Sequence, residues 1–309
     1  MAFRLGAGLV FPHPHMLDFQ QFNMRSYKNN YDWFSGAIMF YGEHQGLEGL
    51  TAQALAEVTC VLADIDDTIT TEGRLTAGAY GAMERLQHAG FAVVPVTGRP
   101  AGWCDLIARF WPVAGVVGEN GAFYFRYDRA AKVMRAHHAL SQEQRASNRR
   151  RLDDLAQVIL KEVPGCALAS DQPYRIADLA IDFCEDVPPL PALSVDRILA
   201  LFAAAGATAK ASSIHVNGWL GAWDKLTMAR TFLAREFGLA GEALDRSVVY
   251  VGDSPNDEPM FAAFPLSVGV ANVRRHVERM RHLPPHITAG EGGEGFVELA
   301  EHLIAARRA

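Results

Sequence analysis

The sequence predicts an α/β protein whose doubly wound parallel sheet is interrupted by an inserted α+β domain. From Val58 onward, short apolar runs alternate with helical segments, which is the order of right-handed βαβ units. Each apolar run ends in polar or Gly residues, as strands do at the edge of a parallel sheet that binds ligands. Between about residues 122 and 221 this alternation changes, and afterwards it returns.

The first apolar run is the reference point for the rest of the chain. Residues 61–64 read Val-Leu-Ala-Asp, and Asp66 and Asp67 follow directly. Because strand interiors avoid Asp, three acids in four positions indicate a strand end that binds a cation, carries out chemistry, or does both. The next predicted elements are a helix over 77–89, a strand over 91–96, a helix over 100–110 and a strand over 114–117.

The insert and the returning pattern complete the order of elements. In the insert we predict strands over 122–127, 179–183 and 213–216 and helices over 141–162 and 194–205. Beyond it we predict a helix over 223–237, strands over 247–251 and 266–270, and helices over 272–280 and 296–306. The predicted domains are therefore a core of 58–121 and 222–309 and an insert of 122–221.

Residues 1–57 show no clear period and are predicted to be an N-terminal extension of unknown role. The segment is either an appended arm or upstream sequence included by a wrong start codon. Its apolar run from Leu5 to Phe11 is broken by Pro12 and Pro14, so we do not expect a signal peptide.

Composition and charge exclude several classes of function. The chain has 309 residues, of which 50% are hydrophobic and 21% charged, as in ordinary globular enzymes. A net charge of −6 argues against nucleic-acid or anionic-membrane binding, and no apolar run is long enough to span a bilayer. The four cysteines lack CxxC spacing, which indicates neither a zinc site nor a disulfide framework and fits a reducing cytoplasm.

Four groups of polar residues are expected to converge at the carboxyl edge of the sheet. They are Asp64 with Asp66, Thr97-Gly98-Arg99, Lys225, and Asp253 with Asp257. Carboxylates without nearby His or Cys favour Mg²⁺ over zinc, and the cation and hydroxyl suit a phosphate. An Asp can serve as the nucleophile of phosphoryl transfer. A second acid two residues later lies on the same side of an extended segment and can move the proton.

These groups resemble the four motifs of the haloacid dehalogenase-like phosphatase superfamily. The motifs are Asp64-Ile65-Asp66-Asp67-Thr68, Val96-Thr97-Gly98-Arg99, Asp224-Lys225 and Gly252-Asp253-Ser254-Pro255-Asn256-Asp257. The resemblance covers 58 to about 305. It implies that Asp64 is the nucleophile and Asp66 the general acid and base. It also implies phosphoryl binding by Thr97, Gly98, Lys225 and Asn256, and a Mg²⁺ site of Asp64, the Asp66 carbonyl and Asp253, with Asp257 either near the metal or positioning Lys225.

The insert resembles the α+β cap called C2. The run Glu119-Asn120-Gly121-Ala122 is common at the entry to that cap, and His215-Val216-Asn217-Gly218 is similar to sugar-phosphate phosphatases of the sucrose-phosphate and mannosyl-3-phosphoglycerate kind. Two positions depart from this pattern: Asp67 and Leu226 stand where Gly is frequent. The extra charge of Asp67 near the phosphate is expected to affect metal affinity or substrate preference.

Substrate specificity is expected to come from the cap. The candidate residues are Arg175, Asp178, His215, Asn217 and Trp219. Each has a structural alternative: an ion pair for Arg175, simple strand alternation for His215 and Asn217, and core packing for Trp219. We expect His215 or Asn217 to contact the substrate, and we expect a structural or rim role for Arg99.

The sequence therefore predicts a Mg²⁺-dependent phosphatase that acts on a small phosphorylated metabolite, a sugar phosphate or phosphoglycerate. A phosphomutase with the same core chemistry is one alternative. A phospho-signalling receiver and a non-catalytic metabolite-binding protein are two more, although Asp66 argues against a long-lived phosphorylated receiver. The sequence leaves the oligomeric state open.

Overall fold

The computed structural model describes residues 45–212 and 214–308. The first 44 residues of the predicted extension and Ser213, at the start of one predicted strand, lie outside the described residues. The helices are α1 (Ala52–Leu55), α2 (Ala77–His88), α3 (Ala101–Phe110), α4 (Gln142–Glu162), α5 (Ala192–Ala204), α6 (Lys225–Phe237), α7 (Glu242–Ser247), α8 (Glu258–Ala263) and α9 (Gly292–Arg308). The strands are β1 (Cys60–Ala63), β2 (Ala92–Pro95), β3 (Val116–Gly118), β4 (Phe123–Asp128), β5 (Val133–His138), β6 (Ala167–Leu168), β7 (Asp178–Asp182), β8 (Thr208–Ala211), β9 (His215–Trp219), β10 (Val248–Gly252), β11 (Ser267–Gly269) and β12 (His286–Ile287).

The core is a parallel sheet with strand order β12-β11-β10-β1-β2. β1 lies between β10 and β2, so its carboxyl end is near the centre of one edge. Val61 and Ala63 pack into the hydrophobic cluster on one face, and Cys60 and Leu62 pack into the cluster on the other. Apolar residues at every position of β1 are explained by this two-sided burial. The predicted doubly wound fold is confirmed.

A second sheet continues the core. Val96 forms a parallel bridge to Val117 of β3, and β3, β4 and β5 then form an antiparallel sheet. Phe123 and Tyr124 of β4 are buried in the two core clusters.

The cap is an antiparallel sheet of order β6-β7-β9-β8 covered on one face by helices α4 and α5. Leu179, Ile181 and Val216 pack with those helices in a separate hydrophobic cluster. Alternate positions along a strand point to the opposite face. His215 and Asn217 alternate with Val216, so they lie on the face away from the helices. The predicted α+β insert is confirmed.

Hydrophobic packing favours different positions for two of the three predicted domain boundaries. The β4–β5 hairpin, predicted within the cap, packs with the core, whereas the residues of the cap cluster lie between Leu152 and Leu220. Residues 45–57 are also attached to the core, because Leu47 and Leu55 are buried there and Gln45 pairs with His286. We therefore propose that the core comprises 45–138 and 222–308 and that the cap comprises 139–221.

The remaining differences concern short elements. The sequence reasoning missed α1, β5, β6, β8, β12, α7 and α8, all of which have six residues or fewer and too little length for a period to show. The predicted helix over 272–280 is a 3₁₀ segment, Ala271–Arg279. Among the helices of the described ranges, none combines the length and hydropathy of a membrane span.

Candidate active site

Asp64 follows β1 at the centre of the carboxyl edge and is only 4% exposed. Its Oδ1 accepts a hydrogen bond from the backbone N–H of Ile65 at 2.9 Å. Its Oδ2 lies 3.0 Å from Nζ of Lys225. Burial raises the pKa of Asp64 to about 7 even though the Lys225 charge acts in the opposite direction. Both carboxylate oxygens are thus held in place inside a buried site.

Lys225 is the first residue of α6. The helix begins there because the side chain of Asp224 caps it, accepting from the N–H of Thr227 at 2.7 Å. The Lys225 ammonium also lies 3.3 Å from Oδ1 of Asp257. Burial opposes its charge, but the carboxylates of Asp64 and Asp257 raise the pKa of Lys225 overall. The site therefore contains a buried, permanently charged ammonium.

Asp253 follows β10, next to β1 in the sheet. It accepts a hydrogen bond from the Thr68 hydroxyl at 3.1 Å. Asp64, Asp253 and Asp257 each offer an oxygen, and the three oxygens lie within 4.8 Å of one another. Burial, together with the neighbouring acids, raises the pKa of Asp253 well above its ordinary range. These buried carboxylates need a nearby positive charge to stay ionised. Because they offer oxygen ligands, a hard cation such as Mg²⁺ fits between them.

Both carboxylate oxygens of Asp257 accept hydrogen bonds from groups of the protein. Its Oδ1 accepts from Lys225 and from the Tyr250 hydroxyl, and its Oδ2 accepts from the N–H groups of Asp253 and Ser254 at 3.0 and 3.2 Å. Of the two predicted roles for Asp257, these contacts favour positioning Lys225 over binding the metal. Tyr250, which the sequence reasoning missed, supports that position from within β10.

The loop after Asp64 explains the unusual Asp67. Its backbone has φ 56° and ψ 13°, a left-handed conformation in which Gly is favoured. The amide of Asn272 donates to the Asp67 carbonyl at 2.8 Å, and the Asp67 N–H donates to the Thr70 hydroxyl at 3.2 Å. A position where the resemblance predicts Gly therefore has a backbone that favours Gly, and this chain accommodates Asp there.

Asp66, the predicted acid and base, is held by Arg99. The guanidinium donates to the carboxylate from Nε at 3.0 Å and from Nη2 at 2.9 Å. Its Nη1 donates to Glu185 of the cap at 3.2 Å, and its Cζ lies 4.5 Å from the ring centre of Trp103. Arg99 thus fixes the orientation of Asp66 and connects it to the cap, and of the predicted structural or rim role these contacts favour the structural one.

Glu119 attaches the cap to the core. It is fully buried and accepts from the N–H of Ala101 at 3.0 Å and from the N–H groups of Ile176, Ala177 and Asp178 at 2.9, 2.7 and 3.1 Å. Burial raises the pKa of Glu119 to about 7 against the effect of these donors.

The backbone at this point is strained. Glu119, Asn120 and Gly121 have φ values of 43°, 54° and 102°, so two non-Gly residues in succession are left-handed. The sequence reasoning named this run but assigned no role to Glu119.

Arg175 makes a second attachment between cap and core. Its guanidinium pairs with Asp171 at 2.9 Å and with Asp178 at 3.1 Å, and its Nη1 donates to the Gly98 carbonyl at 2.9 Å. Trp219 is buried and stacks with Trp223. For Arg175, Asp178 and Trp219, these contacts favour the structural alternative over direct substrate binding.

Most of the predicted site residues line one chamber between core and cap. They are Asp64, Asp66, Gly98, His215, Asn217, Lys225, Asp253 and Asn256. Thr97 and Asp257 are fully buried and do not line it. The Thr97 hydroxyl accepts from the N–H of Arg99 at 3.0 Å.

Lys210 also lines the chamber and was missed by the sequence reasoning. It lies opposite Asn217 in the β8–β9 register and therefore on the same face of the cap sheet. Strand alternation could have revealed it, had β8 been recognised. In the described part of the chain it forms no ion pair, and burial together with the Lys225 charge lowers the pKa of Lys210.

Solved structures with the same fold are haloacid dehalogenase-like hydrolases. One from Bacteroides thetaiotaomicron is 16% identical with a TM-score of 0.57, covering 80% of this chain and 99% of the other. The sucrose-phosphatase of Synechocystis sp. PCC6803, solved with sucrose and phosphate, is 15% identical with a TM-score of 0.55, covering 79% and 97%. A subclass IIB sugar phosphatase is 14% identical with a TM-score of 0.54, covering 79% and 98%.

No family model and no curated protein matches the sequence. At these identities the similarity establishes only the fold, which this chain shares with these hydrolases. The resemblance predicted from four short motifs is therefore confirmed at the level of the fold.

Proposed function

We propose that the protein is a Mg²⁺-dependent phosphatase that hydrolyses a small phosphomonoester, a sugar phosphate or phosphoglycerate, through an aspartyl-phosphate on Asp64. The observation that carries the proposal is the buried pair of Asp64 and Lys225, 3.0 Å apart, beside Asp253. Carboxylates alone would suffice to bind a metal. A permanent cation held against one of them suits the binding of a phosphoryl group at that carboxylate.

A set of oxygen donors without nitrogen or sulfur matches the ligand preference of Mg²⁺. Asp64, Asp253 and the carbonyl of Asp66 would hold the ion. When bound, it would offset the negative charge of the phosphate and of the carboxylates.

The first chemical step is assigned to Asp64 and Asp66. A carboxylate oxygen of Asp64 attacks phosphorus, and the bond between phosphorus and the leaving oxygen breaks as Asp66 gives that oxygen a proton. Lys225 stabilises the negative charge on the equatorial oxygens. In the second step Asp66 takes a proton from water, whose oxygen attacks phosphorus. The bond to Asp64 then breaks and inorganic phosphate leaves.

Hydrolysis is favoured over the alternative functions. Two of the structures with this fold are named as a sucrose-phosphatase and a sugar phosphatase, which supports hydrolysis of sugar phosphates. A phosphomutase would use the same core residues and return the phosphoryl group to the substrate. A signalling receiver would have no use for Asp66 next to the phosphoryl acceptor or for a closed cap. The cytoplasmic location stays a prediction.

The proposal is tested with the full chain and a panel of sugar phosphates and phosphoglycerates. We expect release of inorganic phosphate in the presence of Mg²⁺ and loss of release when EDTA removes the metal. An isomerised phosphate ester as the product would establish the mutase instead. If no member of the panel is hydrolysed or isomerised with Mg²⁺ present, the proposed activity is wrong.

A further inference from the structure

A second cavity adjoins the chamber at Asp66. We call it the apolar pocket. Its lining includes Asp66, Arg99, Trp103, Leu106 and Tyr174. It shares Asp66 and Arg99 with the chamber and no other residue. The pair of Asp66 and Arg99 therefore forms the partition between the two cavities.

The two cavities differ greatly in size. The chamber has a volume of about 40 Å³, which is space for a few water molecules. The apolar pocket has a volume of about 490 Å³, within the range of small-molecule sites. A phosphoryl group attached to a larger organic group cannot fit in the chamber alone. With the cap in this position, the organic group must extend into a neighbouring cavity.

The position of Asp66 determines which neighbouring cavity can hold the organic group of the substrate. The leaving oxygen connects phosphorus to the organic group, and it must lie within hydrogen-bond reach of the acid that protonates it. Another cavity, of about 540 Å³, also borders the chamber, through Lys210, Ala211 and Asn256, but Asp66 does not line it. The apolar pocket does include Asp66. It is therefore the cavity that an organic group bonded to the leaving oxygen can enter.

The walls of the pocket define what it can hold. Trp103, Leu106 and Tyr174 are 43%, 54% and 58% exposed, an unusual display of large apolar side chains. Arg99 is the only basic side chain in the lining, and it is already paired with Asp66 and Glu185. The pocket thus offers apolar and aromatic contact without a free positive charge.

We propose that the apolar pocket binds the organic part of the substrate, and that this part is an uncharged ring with an apolar face. An aryl ring or the C–H face of a sugar has this chemistry, because both pack against aromatic side chains. The proposal rests on the proposed function, since it assigns the phosphoryl group to the chamber and the leaving oxygen to Asp66.

The test compares two positions on α3. Leu106 lines the pocket, whereas Phe110, four residues later and 73% exposed, does not. Leu106→Trp should obstruct the pocket, and Phe110→Trp is the matched control. Neither residue contributes to the catalytic groups. The substrates are 1-naphthyl phosphate, which needs the pocket, and acetyl phosphate, which is small.

We expect Leu106→Trp to lower kcat/KM for 1-naphthyl phosphate by about tenfold or more, mainly through KM. Activity on acetyl phosphate should stay within about twofold, and Phe110→Trp should affect neither substrate, since it leaves the pocket open. Equal losses on both substrates, or no loss on the naphthyl ester, would overturn the proposal.

A binding experiment separates this proposal from the proposed activity. Calorimetry on the wild-type protein should show phenylphosphonate binding about tenfold more tightly than methylphosphonate, and Leu106→Trp should remove the preference. If that preference is found but no ester is hydrolysed, the proposed activity fails and the pocket assignment stands. Equal affinity for the two phosphonates would refute the pocket assignment directly.

Discussion

The two walls of the chamber are built in different ways. On the core wall, the charged side chains neutralise one another at the reacting centre, where Lys225 lies between Asp64 and Asp257. On the cap side, most charged groups serve attachment: Arg175 contacts the Gly98 carbonyl and Glu185 pairs with Arg99. In the proposed mechanism the core therefore supplies the chemistry, whereas few cap side chains are left to contact a substrate.

The largest effect is expected when the attachment of the cap is broken. Glu119→Ala leaves the N–H groups of Ala101, Ile176, Ala177 and Asp178 buried without their acceptor. Since each unsatisfied group costs about 1–3 kcal/mol, the free energy of unfolding should fall by about 3 kcal/mol or more in a urea titration. Activity should fall as well, because cap residues form one wall of the chamber.

The matched control for that variant is Glu162→Ala. Glu162 pairs with Arg197 at 2.9 Å on the cap surface, where both side chains are about half exposed. Removing such a pair should change the free energy of unfolding by less than about 1 kcal/mol. If Glu119→Ala destabilises the protein no more than this control does, Glu119 does not hold the cap.

The core wall is probed by metal binding at two pH values. Burial raises the pKa of Asp64 from 3.8 to about 7, so between these values the metal-free folded protein binds more protons than the unfolded chain. Its stability therefore falls as pH rises through this window, by the linkage relation. Mg²⁺ needs the ionised carboxylates, so it should raise Tm more at about pH 8 than at about pH 5.

Differential scanning calorimetry with and without Mg²⁺ measures this dependence. Asp253→Asn should lose most of the Tm increase at the higher pH, because it removes one proposed ligand. An increase of equal size at both pH values, or one that survives in Asp253→Asn, would contradict the assignment of these carboxylates to the metal.

A smaller effect is expected from substituting Lys210. Among the described residues, it is the one basic side chain of the chamber that has no ion-pair partner. Lys210→Met should raise KM for phosphate esters by about threefold to tenfold with little change in kcat, as expected for loss of a charge-assisted hydrogen bond. Steady-state kinetics measures it, and Lys161→Met, on the exposed surface of α4, is the control. If the two variants behave alike, Lys210 does not contact the substrate.

The smallest effect concerns the strained loop of the core wall. Asp67→Gly replaces a left-handed Asp and removes a charge that raises the pKa of Asp253. The relief of strain is partly offset by the greater flexibility of Gly in the unfolded chain, so we expect a net gain of about 0.5–1 kcal/mol. Urea unfolding measures the change, and a clear loss of stability would show that contacts of the Asp67 side chain outweigh the strain.

The sequence was most informative where the signal is local. The run from Val61 to Asp64 predicted a buried strand with a reactive end, and the spacing of Asp64 and Asp66 was readable in a single segment. β1 takes that form because it is covered on both faces. The short strands β6 and β12 have only two residues each, so no period could reveal them.

Partners that meet only through tertiary structure could not be predicted. The sequence around Glu119 and Asn120 gives no sign of the role of Glu119, because that role depends on N–H groups from residues 176–178 of the cap. The partners of Arg99, Asp66 and Glu185, are 33 and 86 residues away, so the sequence could not show which groups it holds. For Asp67, the sequence indicated an anomaly, but only the backbone angle supplied its reason.

The central claim is that Asp64, and not the neighbouring acids, accepts the phosphoryl group. The most direct measurement is Mg²⁺-dependent phosphate release from p-nitrophenyl phosphate by Asp64→Asn, compared with Asp67→Asn as the matched control. The claim predicts a loss of about 10³-fold or more for Asp64→Asn, with an unchanged circular dichroism spectrum, and activity within about tenfold of wild type for the control. Substantial activity in folded Asp64→Asn would contradict it.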